Sequence, residues 1–153
     1  MKNTSIRILA SVFCASLLFA VCGTAHAATY AKKLEITVVG VPENVTLTDF
    51  PLLVRLSASI DGFSYQDFLG TGGSDIRFED ASGNPLAYDV DTWNELGESL
   101  IWVKVPSLQK DSVVTMQFGS TAPDANDPTN TWSNYAGVWH GNPSAPGAST
   151  SVD

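Results

Sequence analysis

Apolar and polar side chains alternate with a period of two along most of the chain between Tyr30 and Phe118. This is the period of a β-strand that buries one face and exposes the other. The alternation predicts strands over six segments: 33–38, 50–57, 75–79, 86–93, 99–105 and 113–118. No stretch of ten or more residues shows a helical period. The pattern therefore predicts an all-β fold, an antiparallel β-sandwich of the jelly-roll type.

The segments between and after the strands carry turn and loop residues. Residues 63–68 lack a strand period and predict a helical turn or a packed loop, while Pro106 is expected to end the fifth strand. Beyond the last strand, residues 120–130 have the composition of a linker, and an aromatic segment at 132–139 follows. Residues 141–153 are rich in Pro, Gly, Ser and Ala without periodicity, which predicts a disordered tail.

The fourth and fifth predicted strands form a hairpin, and their apolar faces select its register. The residues that must share the core side are Leu86, Tyr88, Val90, Ile101, Val103 and Val105, joined there by Leu52 of the second strand. A four-residue loop satisfies this condition, whereas a five-residue loop would bring a carboxylate to the core face. The resulting register pairs Trp93 with Glu98, Asp91 with Leu100 and Asp89 with Trp102.

The outward face of this hairpin is the candidate ligand-binding site, with Asp89, Asp91, Trp93 and Trp102. An indole can stack on the apolar face of a sugar ring while carboxylates accept hydrogen bonds from the sugar hydroxyl groups. In the alternative interpretation, residues 63–68 or the C-terminal aromatic side chains cover this face, and both tryptophans are packing residues. The solvent accessibility of the two indoles distinguishes these hypotheses.

The N-terminal 27 residues have the pattern of a secretory signal peptide. Two basic residues precede the apolar stretch 8–21, and the motif Ala25-His26-Ala27 places cleavage before Ala28. A lipid anchor on Cys22 is the alternative, but Val21 stands where a lipidation signal usually has a small residue. The mature chain is therefore expected to be exported, to the periplasm, the cell surface or the medium.

Removal of the signal peptide changes the charge and the cysteine content of the chain. Both cysteines and two of the eight basic residues lie in it, so six basic side chains remain against sixteen acidic ones, a formal charge of −10. Such an acidic chain excludes nucleic acid and anionic membranes as partners, because both need a basic surface. No later stretch is long and apolar enough to span a membrane.

Acidic clusters are the remaining candidates for chemistry. Asp89 and Asp91 lie two residues apart on one predicted strand face, a separation that crudely suits a glycosidase, but acidic pairs are common on sheets. Two further clusters match no known calcium loop and are interpreted as solvated surface: Asp75, Glu79, Asp80 and Asn84, and Asp124, Asn126 and Asp127. Arg77 is expected to form a surface ion pair with Asp75 or Glu79.

Because His140 is the only histidine left, zinc, copper and Ser-His-Asp chemistry are disfavoured. We expect no catalytic residues, no metal and no cofactor.

Several motifs follow one another in an order that resembles the bacterial family known as domain of unknown function 2341. They are Tyr30 to Lys33, Asp49 to Leu56, Ser74 to Phe78, Trp93-Asn94, Glu98 to Pro106 and Trp132 to His140. The resemblance implies an exported or envelope protein of the kind in which this domain precedes a concanavalin-like or laminin-G-like sandwich. It implies no catalytic residues, since the family has no established activity. Only thirteen residues follow His140, so the chain is either a truncated form of a longer protein or a single-domain protein.

The sequence thus predicts four segments: a signal peptide at 1–27, a β-sandwich domain at 28–120, a linker and aromatic segment at 121–140 and a disordered tail at 141–153. The predicted function is a non-enzymatic extracytoplasmic binding or adhesion module, with a glycan as the candidate ligand. The alternative is a structural spacer in a larger cell-envelope assembly, with no ligand of its own. Candidate partners are accordingly glycans and cell-envelope proteins.

Overall fold

The computed structural model describes residues 28–140, so the predicted signal peptide and tail lie outside the described residues. This part of the chain forms seven strands: β1 Lys32–Thr37, β2 Leu47–Ser57, β3 Arg77–Glu79, β4 Pro85–Leu86, β5 Tyr88–Thr92, β6 Glu98–Leu108 and β7 Val113–Phe118. Two 3-10 turns, Tyr65–Asp67 and Thr71–Gly73, follow β2, and one short helix, α1 Pro128–Thr131, follows β7. None of the helices in the described part of the chain is long and apolar enough to cross a membrane.

The strands form two antiparallel sheets, one in the order β1-β7-β3-β4 and the other in the order β2-β6-β5. Alternate residues of both sheets are buried in a shared core, which is the arrangement of a β-sandwich. The predicted all-β sandwich is therefore confirmed. Ile101 and Val103 of β6 are completely buried, as predicted, whereas Val90 and Leu52 are only partly buried and pack at the margin of the core.

The fourth predicted strand is wrong as a single element. It divides into β4 and β5, which belong to different sheets, so the chain crosses from one sheet to the other at Ala87. Leu86 and Tyr88 are both buried on either side of this crossing, which explains why the apolar period continues across it. An unbroken period of two therefore does not distinguish one strand from two strands that line the same core.

The predicted end of the fifth strand at Pro106 is also wrong, because β6 continues to Leu108. The ladder between β2 and β6 pairs Thr48 with Ser107 and Phe50 with Val105, which leaves Asp49 opposite Pro106. Asp49 has a φ of 50°, outside the strand region. The proline is tolerated because the partner strand is irregular at the position where a backbone N–H is missing.

Asp75 was predicted to lie on a solvated surface, but its side chain is only 1% exposed. Its Oδ2 accepts hydrogen bonds from the backbone N–H groups of Leu69, at 3.0 Å, Gly119, at 3.0 Å, and Ser120, at 3.1 Å. Burial alone would raise the pKa of Asp75, but these backbone donors outweigh it and hold the pKa below its ordinary value. Asp75 thereby ties the loop after β2 to the residues that leave β7.

Arg77 likewise does not form the expected ion pair with Asp75 or Glu79. Its guanidinium donates to the Ser74 carbonyl, at 3.2 Å, and to the Tyr88 hydroxyl, at 3.3 Å, and it also contacts the Pro123 carbonyl. Burial raises the pKa of Tyr88 to about 12, and its hydroxyl donates to the Ile76 carbonyl at 2.8 Å. Arg77 thus links the core to the segment that follows β7.

Candidate functional site

Residues 121–140, called the cover segment below, pack on the three-stranded sheet instead of forming a linker. The segment first runs along the free edge of β5. There the backbone N–H of Asp127 donates to the Tyr88 carbonyl at 2.9 Å, and the N–H of Val90 donates to Asn126 Oδ1 at 3.0 Å. These bonds satisfy edge groups that would otherwise be open to another strand. The edge of β5 is therefore closed by the chain itself.

Local sequence explains why the cover segment turns at this point. Asp127 is the N-cap of α1, where its side chain accepts from the N–H of Asn130 at 3.0 Å, and Pro128 occupies the first turn. Hydrogen bonds from the Asn130 side chain and backbone lower the pKa of Asp127. Thr131 is buried, and Trp132 follows immediately. The short helix therefore aims an aromatic side chain back at the sheet.

The cover segment closes the outer face that carries Asp89 and Trp102. The Trp132 ring lies 5.5 Å from the Trp102 ring, edge to face, and its Nε1 donates to Asp89 Oδ2 at 2.8 Å. His140 completes the closure, with Nε2 3.1 Å from Asp89 Oδ2 and Nδ1 3.2 Å from Asp91 Oδ1. Asp89, which was predicted to accept from a sugar, accepts instead from this chain's own Trp132, and both carboxylates face the ring of His140.

Of the two coverings considered for this face, the C-terminal aromatic side chains provide it. Residues 63–68 pack elsewhere: Phe68 stacks on the core residue Phe118 at 4.5 Å. Trp102 Nε1 is buried and has no hydrogen-bond partner among the described residues. Trp102 is thus a packing residue in this arrangement.

Trp93 does not share a face with the other three candidate residues, and the predicted register is wrong from Asp91 onward. The pairing of Asp89 with Trp102 is confirmed, but Thr92, not Asp91, stands opposite Leu100 because the strand is irregular between Val90 and Thr92. One inserted residue reverses the side on which all later side chains lie. The prediction assumed a regular strand. With a regular strand, a five-residue loop would bring a carboxylate to the core face, and the prediction rejected that loop for this reason.

The reversal turns Trp93 toward the core. Its ring packs edge to face against Phe68, at 5.0 Å, and Tyr65, at 5.4 Å. A Cβ on Gly73 would lie 2.3 Å from the indole, so this glycine makes room for the ring. Trp93 Nε1 donates to Glu95 Oε1 at 3.1 Å. The tryptophan fixes the loop after β2 to the end of β5.

A second polar anchor, which the sequence analysis did not assign, holds the cover segment at Lys104. Its Nζ donates to Ser133 Oγ at 2.8 Å and to the Asn130 carbonyl at 3.4 Å. Asp49 lies 3.9 Å from the same ammonium and accepts from Asn134 Nδ2 at 2.8 Å. Only the pairing of β2 with β6 brings Asp49 beside Lys104, so no local sequence signal marks this anchor.

The acidic clusters considered for calcium accept hydrogen bonds from the protein's own backbone. Asp80 Oδ1 accepts from the N–H groups of Ser82 and Asn84, both at 2.8 Å, which closes the turn between β3 and β4. Asp124 accepts from the N–H of Asn126 at 2.9 Å. Among residues 28–140, no group of three or more His, Cys, Asp or Glu side chains is arranged to hold a metal ion.

Two aromatic side chains of the cover segment remain open to solvent and are together called the aromatic surface below: Tyr135, which is 47% exposed, and Trp139, which is 89% exposed. The Trp139 ring rests against the backbone at Gly137, where a Cβ would lie 2.4 Å from Cη2. Tyr135 packs edge to face on Trp132 at 5.4 Å. The aromatic run of the sequence signalled this surface, although the prediction placed the site on the strands.

Comparison with known proteins gives one match. The model of a family described as Domain of unknown function (DUF2341) matches residues 72–148, half of the chain. The matched range contains β3 to β7 and the whole cover segment. No curated protein and no solved structure matches the chain.

Proposed function

Since the chain belongs to the DUF2341 family, which is described only as a domain of unknown function, we propose its function from the geometry of the cover segment. We propose that it is a non-enzymatic binding module of an exported protein and that it binds a glycan at the aromatic surface formed by Tyr135 and Trp139. The proposed binding site therefore lies on the cover segment and not on the strands, where the sequence placed it. Asp89, Asp91 and Trp102 then position the segment instead of contacting the ligand.

The exposure of Trp139 carries this proposal. Because the Trp139 ring is 89% exposed, it does not stabilise the fold by burial. Its flat apolar face is free to stack on a sugar ring. The adjacent His140 lies between two carboxylates, and Trp132 is bonded to one of them, so both ends of the short stretch 132–140 are anchored. Such anchoring lowers the entropy cost of binding, because the ring is already placed.

The charge of the chain restricts the class of glycan. With sixteen acidic against six basic residues once the signal peptide is removed, the protein repels polyanions such as uronic-acid or sulfated polymers. Neutral or amino-sugar polymers carry no such penalty.

The test is Trp139→Ala on an array of neutral, basic and acidic glycans, with thermal unfolding measured in parallel. The variant should lose binding to the glycans that bind the wild type. Its unfolding midpoint should stay the same, because removal of an exposed ring opens no cavity. Leu96→Ala is the matched control, since Leu96 is a fully exposed apolar side chain outside the cover segment. Unchanged glycan binding by the Trp139 variant would refute the proposed site.

Gly137→Ala tests whether the position of the Trp139 ring matters, because this variant displaces the ring without removing it. The backbone at Gly137 is outside the left-handed region, but the new Cβ would meet the Trp139 indole at 2.4 Å and displace it. Glycan binding should therefore weaken with all four tryptophans still present. Equal affinity of this variant and the wild type would show that the position of the indole on Gly137 does not matter.

The structural spacer is the second candidate function, and closure of the outer face of β5 and β6 favours it. A face that the chain covers with its own Trp132 and His140 needs no ligand to satisfy its carboxylates. In that case the wild-type protein binds no glycan on the array, and Trp139→Ala changes neither binding nor stability.

A further inference from the structure

An apolar groove of about 360 Å³ lies between the two sheets on the side of β1 and β2. Its lining is mainly apolar and comes from β1, β2, the loop after β2 and one residue of β7: Leu34, Ile36, Leu52, Leu53, Val54, Leu56, Ile60 and Met116. Three charged residues also border it: Glu35, Arg55 and Asp61. Each of the two strands is the end strand of its sheet. The sandwich is therefore open along this side, whereas the cover segment closes the edge of β5.

The edge of β2 is poorly suited to accept another strand. Lys104, which stands opposite Pro51, donates its backbone N–H to the Ala87 carbonyl and so points away from β2. By the alternation of an antiparallel ladder, the backbone nitrogen of Pro51 faces the free edge, where it has no hydrogen to donate. The positive φ of Asp49 adds a second irregularity. β1 has neither a proline nor a positive φ along its six residues.

We propose that two copies of this chain pair antiparallel along β1, about a two-fold axis at Leu34, which joins their four-stranded sheets into one. Residues directly opposite in an antiparallel pair lie on the same face of the sheet. Only registers that place Leu34 and Ile36 on the core side of both copies keep the apolar faces of the two β1 strands together. A shift by one residue would place Leu34 opposite Lys33 or Glu35 of the partner subunit, which lie on the other face of the strand.

The charges of β1 choose among the registers that remain. With Leu34 on the axis, Lys33 stands opposite Glu35 of the partner subunit, and the symmetry makes this pair twice. A shift by two residues in one direction would place Lys33 opposite Lys33 of the partner subunit, and in the other direction Glu35 opposite Glu35 of the partner subunit. Like charges directly opposite are destabilising and opposite charges are stabilising, so the sequence favours one register.

Within residues 28–140, neither Lys33 nor Glu35 has an oppositely charged partner. In the ladder with β7, Lys33 stands opposite Gln117 and Glu35 opposite Thr115, which are uncharged. Pairing of two copies satisfies these charges and brings the two Leu34 side chains together at the mouth of the groove. The partner that this edge fits is therefore a second copy.

Charge reversal tests the register. Protein purified after export is studied by size-exclusion chromatography with light scattering over a series of concentrations. Lys33→Glu and Glu35→Lys should each weaken the dimer at least tenfold, because each variant faces two like-charge pairs. An equimolar mixture of the two variants should restore the dimer, since every cross-strand pair in the mixed dimer is again Glu opposite Lys. The double variant, which exchanges the two charges, should dimerise like the wild type.

Lys110→Glu is the matched control, because it reverses a half-exposed lysine that lies outside β1, in the turn before β7, and should leave the dimer intact. Thermal unfolding of each variant shows that it is folded, and the mixture and the double variant remain informative even if one single variant is unstable. A wild-type protein that stays monomeric up to about 1 mM, which corresponds to a very weak association, would overturn the proposal. So would single variants that dimerise as tightly as the wild type, or a mixture that stays monomeric.

Discussion

Replacement of Asp75 by Ala should remove a buried carboxylate that joins two separate segments of the fold. Its Oδ2 accepts three backbone hydrogen bonds, from Leu69, Gly119 and Ser120, in a position that is 1% exposed. Each donor left without a partner costs about 1–3 kcal/mol, a gross loss of roughly 3–9 kcal/mol. Part of this is offset because the carboxylate no longer has to be buried, a cost of several kcal/mol. We therefore expect Asp75→Ala to lower the free energy of unfolding by about 3–4 kcal/mol.

Asp75→Asn separates charge from shape. The amide oxygen can accept from the same three donors, and the amide nitrogen can take the place of Oδ1, which has no partner among the described residues. Hydrogen bonds to a neutral acceptor are about half as strong as those to a charged one, so we expect a loss of about 1.5–2 kcal/mol. Urea titration followed by tryptophan fluorescence measures both variants. A loss below about 0.5 kcal/mol for Asp75→Ala would refute the assigned role.

Asp75→Asn also tests how the stability of the protein depends on pH. Because the pKa of Asp75 is held below its ordinary value of 3.8 in the folded protein, ionised Asp75 stabilises the fold above that pH. The stabilisation is lost as the pH falls through the lower folded-state pKa. The difference in stability between the wild type and Asp75→Asn should therefore be constant near neutral pH and shrink below about pH 4. A difference that grows on acidification would contradict the hydrogen-bond assignment.

Other substitutions test the remaining assignments. Ile101→Ala should cost about 2–5 kcal/mol, as expected for a completely buried side chain, and Leu52→Ala should cost less because Leu52 borders an open groove; equal losses in urea titration would contradict this difference. Trp93→Ala should cost about 3–5 kcal/mol, because the ring packs on two other aromatic rings; an unchanged unfolding midpoint would mean that Trp93 is exposed. Mass spectrometry of the exported protein should find Ala28 as its first residue, and a lipid-modified N-terminal cysteine would disprove the predicted processing.

The candidate site was only partly predictable. Pairing of Asp89 with Trp102 follows from the apolar pattern of two neighbouring strands and is confirmed. The position of Trp93 is not predictable in this way, because one extra residue in β5 reverses the side of everything after it while the composition stays the same. Burial of Asp75 was equally hidden, since its three donors come from residues 69, 119 and 120, brought together by the fold.

The sequence by itself determined those features that depend on neighbouring residues. Alternation identified β7 with its observed bounds and placed Ile101 and Val103 in the core, since side chains in a strand alternate between two faces wherever the strand lies. Tertiary structure decided the features that depend on distant contacts. The crossing at Ala87, the anchor at Lys104 and the closure of Asp89 by His140 each join residues far apart along the chain. Polar residues in loops carry no period that would show whether they bind water, a ligand or the protein's own backbone, so only the folded arrangement of their partners decides.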